Sequence, residues 1–211
     1  DPETLAQVVV WQPGTADRTA SHADASAMRA LVVERPGRMT IARVPRPEIG
    51  DYDALVRVEA CGICNTTDTE LVDGRQPFHS DYPAILGHEA VGEIVEVGTK
   101  VRTLRRGMRV TRPCAIMPGR FRDGLASAWG GFAEYGLVRD GSALAADGLS
   151  EESADFMVRR QIPVPEGISP VDASLAISLA EVSSWMRRLG PMEGKRVAVL
   201  GTGVAGFAMT F

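Results

Sequence analysis

From Met28 to about Val138, apolar and polar positions alternate in short runs, RALVVE, MTIARV, ALVRVEA, AVGEIVEV, GMRVTR and FAEYGLV, each broken off by Gly or Pro. Alternation with a period of two puts every second side chain on one face. Several such runs at close spacing predict a barrel or sandwich of short strands. The pattern then changes. Ser169-Pro170-Val171-Asp172 offers a capping hydroxyl, a proline at the first helical position and an acid in the first turn. That combination predicts a helix start. Leu175, Leu179, Val182, Met186 and Leu189 follow at helical spacing, and Gly190-Pro191 stops the run. After it, KRVAVLGTGVAGFAMTF predicts a buried strand over Arg196 to Leu200, a glycine-rich turn and the beginning of a second helix. The expected fold class is therefore α+β, a compact β unit, passing into the first strand-turn-helix of an α/β unit.

Two stretches lack a clear period. Residues 1–27 are rich in Ala, Asp, Thr and Ser and are expected to be an extension, in which the Val8 to Trp11 run could add an edge strand. Residues 139–160 are polar and acidic, and are expected to be a surface loop.

Composition narrows the function classes. The chain has 211 residues, 45% of them apolar, enough for one good core and part of a second. A formal charge of -4, with no run of Lys or Arg, argues against a nucleic-acid surface. No apolar stretch approaches the roughly 20 residues of a membrane span, and the N-terminal residues lack a signal-peptide layout. The expectation is a cytoplasmic protein without membrane or nucleic-acid partners. Three cysteines, Cys61, Cys64 and Cys114, are an odd number without the spacing of a disulfide framework.

The turn Gly201-Thr-Gly203-Val204-Ala-Gly206 fits G-x-G-x-x-G. Its position after a predicted strand and before a helix is the context that motif requires: one glycine for the tight turn, one for close approach to a pyrophosphate and one for helix-on-strand packing. Gly201, Gly203, Val204 and Gly206 are thus candidate cofactor-binding positions. The acid that would read the ribose is expected about 20 positions further on, past Phe211, so NAD and NADP are both candidates.

Cys61-Gly-Ile-Cys64 could be a redox pair, half of a structural zinc clip or one arm of a catalytic metal site. A redox pair wants a helix N-terminus within a βαβ unit, whereas the flanking runs here read as barrel strands. Of the three histidines, His22, His79 and His88, the last stands in Gly87-His88-Glu89, where a glycine lets the backbone turn and present the imidazole.

The segments CGIC-N-T-T-D, GHEAVGEIVEVG, GGFAEY, AISLAEVSSW and VLGTGVAG, in this order, resemble the zinc-dependent medium-chain dehydrogenases that act on alcohols, polyols or sugars. The resemblance implies a GroES-like β-barrel catalytic domain over residues 28–182 and the start of a Rossmann NAD(P)-binding domain over 183–211. It implies further strands and a returning C-terminal segment in the full-length protein, without which these 211 residues would not form a competent cofactor site. It makes Cys64 and His88 zinc ligands and puts Glu181 in the place of the third. Glu89 either approaches the metal or supports the site from behind it. The relay hydroxyl is Thr66 or Thr67, and Asp68 orients the histidine. The family usually has one residue between the cysteine and the hydroxyl; here Asn65-Thr66 precede Thr67, which favours Thr67 and Asp68. Thr67-x-x-Glu70 also fits a capping box. Thr69 stands near where some relatives have a proton-relay histidine. Between Thr111 and Gly131 there is one cysteine, Cys114, so a four-cysteine lobe cannot form and one catalytic zinc, with no structural zinc, is expected. The implied activity is reversible oxidation of a small-molecule alcohol to a carbonyl with NAD or NADP, in a homo-oligomer. A zinc-free reductase of the same superfamily and a non-catalytic GroES-like module are the alternatives.

Overall fold

The computed structural model describes residues 10–11, 26–77, 81–117, 120–149, 158–191 and 193–210. Among these residues nine strands and four helices follow one another in the order β1 (Val10–Trp11), β2 (Ala27–Arg35), β3 (Arg38–Pro45), β4 (Asp53–Gly62), α1 (Thr67–Val72), β5 (Ala84–Ile85), β6 (Glu89–Val97), β7 (Arg109–Thr111), β8 (Ala126–Ser127), β9 (Tyr135–Arg139), α2 (Gly141–Ala146), α3 (Pro170–Leu189) and α4 (Val204–Ala208).

The strands form two sheets. In the first, β4 is central: β6 lies antiparallel along one edge, while β9 and then β1 take the other, pairing Asp53 to Arg57 and Cys61 to Gly62 respectively. β7 extends this sheet beyond β6. The second sheet runs β3-β2-β5-β8. Residues 131–134 bridge the two: the Leu31 amide donates to Phe132 O, the Glu134 amide to Arg29 O and the Val58 amide to Glu134 O. The expected barrel is thus, among the described residues, an open pair of joined sheets and not a closed ring. The edge strand considered at Val8 to Trp11 is present over Val10–Trp11.

The alternating runs became strands because one face of each has a core to enter. Val33, Val58, Cys61, Leu71, Leu86, Ala90 and Phe132 form a buried cluster between the sheets and α1, and Ala54, Val56, Ile94, Val110 and Val138 form another. Complete burial of each Val, Leu, Ile or Phe contributes about 1.5–3 kcal/mol. Residues 139–160 are not simply loop. Asp140, which is buried, accepts the Ala143 amide as the cap of α2 and the Arg102 and Thr103 amides besides. A capping acid followed by Gly-Ser-Ala-Leu-Ala-Ala was the missed signal.

Helix α3 begins as expected, with Ser169 Oγ accepting the Asp172 amide and Pro170 at the first position, and it ends at Gly190. Asp172 and the pair Arg187/Arg188 sit at the ends that suit the helix dipole. Its buried residues are Ala173, Ser174, Ile177 and Val182, while Leu179 and Leu189 are exposed. Of the predicted stripe only Val182 is buried. Small residues let α3 approach β4 and β6 closely, and a count of large apolar side chains overlooks them.

Residues 196–200, expected to be a buried strand, have no strand partner among the described residues, and Leu200 is 97% exposed. A strand is buried by its neighbours, and none is paired here. The turn after it is formed: Gly201 has a φ of 118°, and a Cβ at Gly206 would lie 2.1 Å from Gly201 O, so helix and turn touch backbone to backbone. Among the described residues other than its chain neighbours, nothing lies within 4 Å of a Cβ placed on Gly203.

Candidate metal centre

Strand β4 ends at Gly62 and the chain turns through Ile63-Cys64-Asn65 into α1. The short helix points its N-terminal amides back at Cys64: the Thr67 amide donates to Cys64 Sγ at 3.4 Å. Asp68, buried in the first turn of α1, accepts the Cys64 amide at 2.9 Å through Oδ2. Its Oδ1 lies 3.3 Å from His88 Nδ1, near enough for an ion pair. Neither of those two facing atoms has a well-aligned hydrogen bond.

His88 comes from the bend between β5 and β6. Gly87, at a φ of 100°, makes that bend, and a Cβ there would meet the Phe132 amide at 2.6 Å. Only glycine fits both demands. His88 Nε2 then faces Glu89, 4.0 Å from its Oε1. Glu89 Oε2 lies 2.4 Å from where a Cβ on Gly62 would be, so Gly62 keeps the space for this carboxylate. Trp129 closes the face of the imidazole, its ring 5.2 Å away and tilted by 48°.

Cys64, His88 and Glu89 each direct one ligand atom into this space, and the three atoms lie within 4.8 Å of one another. A soft thiolate, an imidazole and a carboxylate are a donor set that suits zinc. The electrostatics agree with a paired site. Burial by itself pushes the Cys64 thiol up, but hydrogen bonds from His88 and from the Thr67 and Thr66 amides leave it below its ordinary value. Burial disfavours the charged form of His88, yet Asp68 and Cys64 together raise its pKa to about 10. The two shifts run in the directions that favour pairing of a thiolate with an imidazolium, and a metal bound here would compete with the shared proton. Cys61, three residues earlier, is wholly buried in the core and its thiol is pushed well up, first by burial and then by Asp68. It does not join the cluster. Cys114 is likewise buried, its pKa raised by burial to about 12, as expected of a small core residue.

Glu181, expected as third ligand, is not in the cluster. Its side chain is 56% exposed and forms an ion pair with the Arg112 guanidinium, which is 7% exposed at the end of β7. Helix α3 instead reaches the site with Ser178, whose hydroxyl donates to Glu89 Oε1 at 2.6 Å. Thr66 is the exposed N-cap of α1 and makes no side-chain capping bond, and Glu70 accepts from Gln76 Nε2. The capping box is not formed. Thr67 is half-buried beside the thiolate. His22 and His79 lie outside the described residues. A cavity of about 420 Å³ between α3 and residues 160–168 includes Arg112, Arg160, Ile177 and Glu181 in its lining, but none of Cys64, His88 and Glu89. Ser178, Arg112, Gly62 and Trp129 were not read from the sequence as site residues. Gly62 stands opposite Glu89 in the β4–β6 pairing, and the other three are placed by tertiary contacts.

The chain thus carries a Cys/His/carboxylate cluster on a two-sheet scaffold, followed in sequence by a glycine-rich turn. Residues 50–147 match the alcohol dehydrogenase GroES-like domain family, and the fold, a GroES-like domain followed by the start of a Rossmann unit, is similar to that of zinc-binding dehydrogenases. Over 185 residues it is 35% identical to a Mycobacterium tuberculosis protein named probable zinc-binding alcohol dehydrogenase, covering 85% of this chain and 46% of that protein. It is 28% identical over 199 residues to L-galactonate-5-dehydrogenase of Escherichia coli, covering 85% of this chain and 58% of the relative. Among solved structures, a zinc-binding dehydrogenase from Sinorhizobium meliloti bound to NADP superposes with a TM-score of 0.66 at 34% identity, over 87% of this chain and 52% of the other. The chain thus spans about half the length of the relatives it matches. No helix among the described residues is long and apolar enough to cross a membrane.

Proposed function

We propose that this chain carries the metal-holding part of an NAD(P)-linked oxidoreductase that interconverts an alcohol, of the polyol or sugar type, with its carbonyl. The observation that carries this reading is the convergence of the Cys64, His88 and Glu89 ligand atoms within 4.8 Å, around a buried His88 and tied to α1. When bound, a zinc ion supplies Lewis-acid stabilisation of the substrate oxygen, and a nicotinamide dinucleotide exchanges the hydride.

The chain's own residues have separable tasks. Cys64, His88 and Glu89 hold the metal, with one position left for substrate. Asp68 occupies the Nδ1 side of His88, which leaves Nε2 for the metal and fixes the ring. The hydrogen bond with His88 and the Thr67 and Thr66 amides hold the Cys64 thiol below its ordinary value. Thr67, beside the thiolate, takes the substrate hydroxyl proton, with the exposed Thr66 next in line towards solvent. Trp129 keeps water from the open face of the imidazole. The Gly201 to Gly206 turn receives the pyrophosphate. Among the described residues nothing occupies the place of a Gly203 side chain, which leaves that backbone accessible to a ligand. Glu181 is not needed as a ligand in this scheme.

The test is zinc content per chain in metal-supplied protein, wild type against Cys64→Ser. One zinc in the wild type, and binding weakened by more than about 100-fold in the variant, is expected, since even outer-shell losses reach that range. Well-folded wild-type protein that takes up no zinc would sink the reading.

A further inference from the structure

Two consecutive residues of β6 are tied to α3, one directly and one through Arg112. Ser178 donates its hydroxyl to Glu89 Oε1. The next residue, Ala90, accepts the Arg112 amide at 2.7 Å, and the Arg112 side chain turns to pair with Glu181, one helical turn beyond Ser178. Arg112 does this from a left-handed backbone conformation, at a φ of 55°, that few non-glycine residues adopt. The result is a closed circuit, from Glu89 through Ser178 along the helix to Glu181, then through Arg112 back to Ala90.

The circuit matters because of where Glu89 stands. Its side chain is only 12% exposed, with one oxygen in the space left by Gly62 and the other on Ser178. A carboxylate with so little solvent needs donors, and the donor it has fixes which way its oxygens point. Carboxylates that bind metals are themselves hydrogen-bonded, and removing such a partner typically weakens metal binding 10–100-fold.

We propose that Ser178 is a positioning residue that aims Glu89 at the metal, and that the Arg112–Glu181 pair sets the rotation of α3 that brings Ser178 there. This rests on the metal-binding reading above. Glu181, on this view, serves the metal site from a distance through Arg112. The two contacts on α3 act as one device, so loss of either slackens the same carboxylate.

Cobalt(II) is the probe, because thiolate-bound cobalt absorbs visibly and reports both affinity and ligand geometry. Affinities are measured by competition with a chelator for wild type, Ser178→Ala, Ser178→Thr and Glu181→Gln, with Ser178→Ala also made in a Glu89→Gln background, and unfolding of the metal-free proteins is followed alongside. Ser178→Ala should bind cobalt about 10-fold more weakly with an altered spectrum. Ser178→Thr, which keeps the hydroxyl, should match wild type, and the effect of Ser178→Ala should vanish once Glu89 is Gln. Glu181→Gln should cost a few-fold, and less when Ser178 is already Ala. Wild-type affinity in Ser178→Ala, the same loss in the Glu89→Gln background, or a loss in Ser178→Thr equal to that in Ser178→Ala would overturn the positioning role while leaving the metal site standing. Absence of thiolate-to-cobalt absorption in the wild type would overturn the metal reading and the positioning role together.

Discussion

The Cys64–His88 region and the Gly201–Gly206 region each present a recognisable motif, yet they are built to different degrees. Around Cys64 the motif is knitted to three other parts of the chain: Asp68 receives its amide, His88 is bent towards it by Gly87, and Glu89 is tied to α3. Around Gly201 the turn and α4 are present, but the residues leading into them have no strand neighbours among the described residues. The contrast shows that a local turn forms from its own backbone chemistry, whereas a buried strand depends on strands elsewhere. A metal cluster lies between these cases, since its ligands come from the ends of β4 and β6, two strands that pair within this chain.

This contrast can be attacked by substitution. The largest effect is expected at Leu86, fully buried beside His88: Leu86→Ala should destabilise the protein by about 2–5 kcal/mol, read from chemical denaturation. A much smaller loss would mean that the core around the cluster is loosely packed. An intermediate effect is expected from pH. Because the pKa of His88 is raised to about 10 in the folded, metal-free protein, its contribution to stability is fully present below its ordinary value of 6.5. It should fall as pH rises from there to about 10, by at most about 1.4 kcal/mol per pH unit. Cys64 works in the opposite sense, its contribution being present above the ordinary thiol value and lost as pH falls through the lowered one. Comparing wild type with His88→Gln across that range isolates the histidine: the gap between them should close towards pH 10, and a gap independent of pH would remove the ion pair from the account. The smallest effect belongs to the other region. Leu200→Ser, at a position 97% exposed, should change stability by no more than about 0.5 kcal/mol. A loss as large as that at Leu86 would show that residues 196–200 are buried after all.

Much of the scaffold was legible because its rules are local. The period of two marked β2, β3, β4, β6, β7 and β9, and Ser169, Pro170 and Gly190 marked both ends of α3. Cys64, Asp68 and His88 were legible as a group only through their resemblance to a family, since nothing local says that residues 64 and 88 meet. What escaped was rotational and long-range. The face of α3 that reaches the sheet is chosen by Ala173 and Ser174, whose small size permits close approach, and not by the larger Leu175 and Leu179. That choice brings Ser178 to Glu89 and turns Glu181 towards Arg112, a pairing across 69 positions of sequence that no spacing rule could supply.

Trp129 lends itself to optics. Its indole lies 5.2 Å from the His88 ring, in a half-buried setting, whereas Trp185 is 58% exposed with the Arg188 guanidinium over its ring. With the third tryptophan, Trp11, replaced by Phe, these two should emit at different wavelengths, the half-buried one to the blue. A paramagnetic ion bound beside His88 would quench the blue component and spare the red, so the chain contains its own fluorescent gauge of occupancy and needs no attached dye.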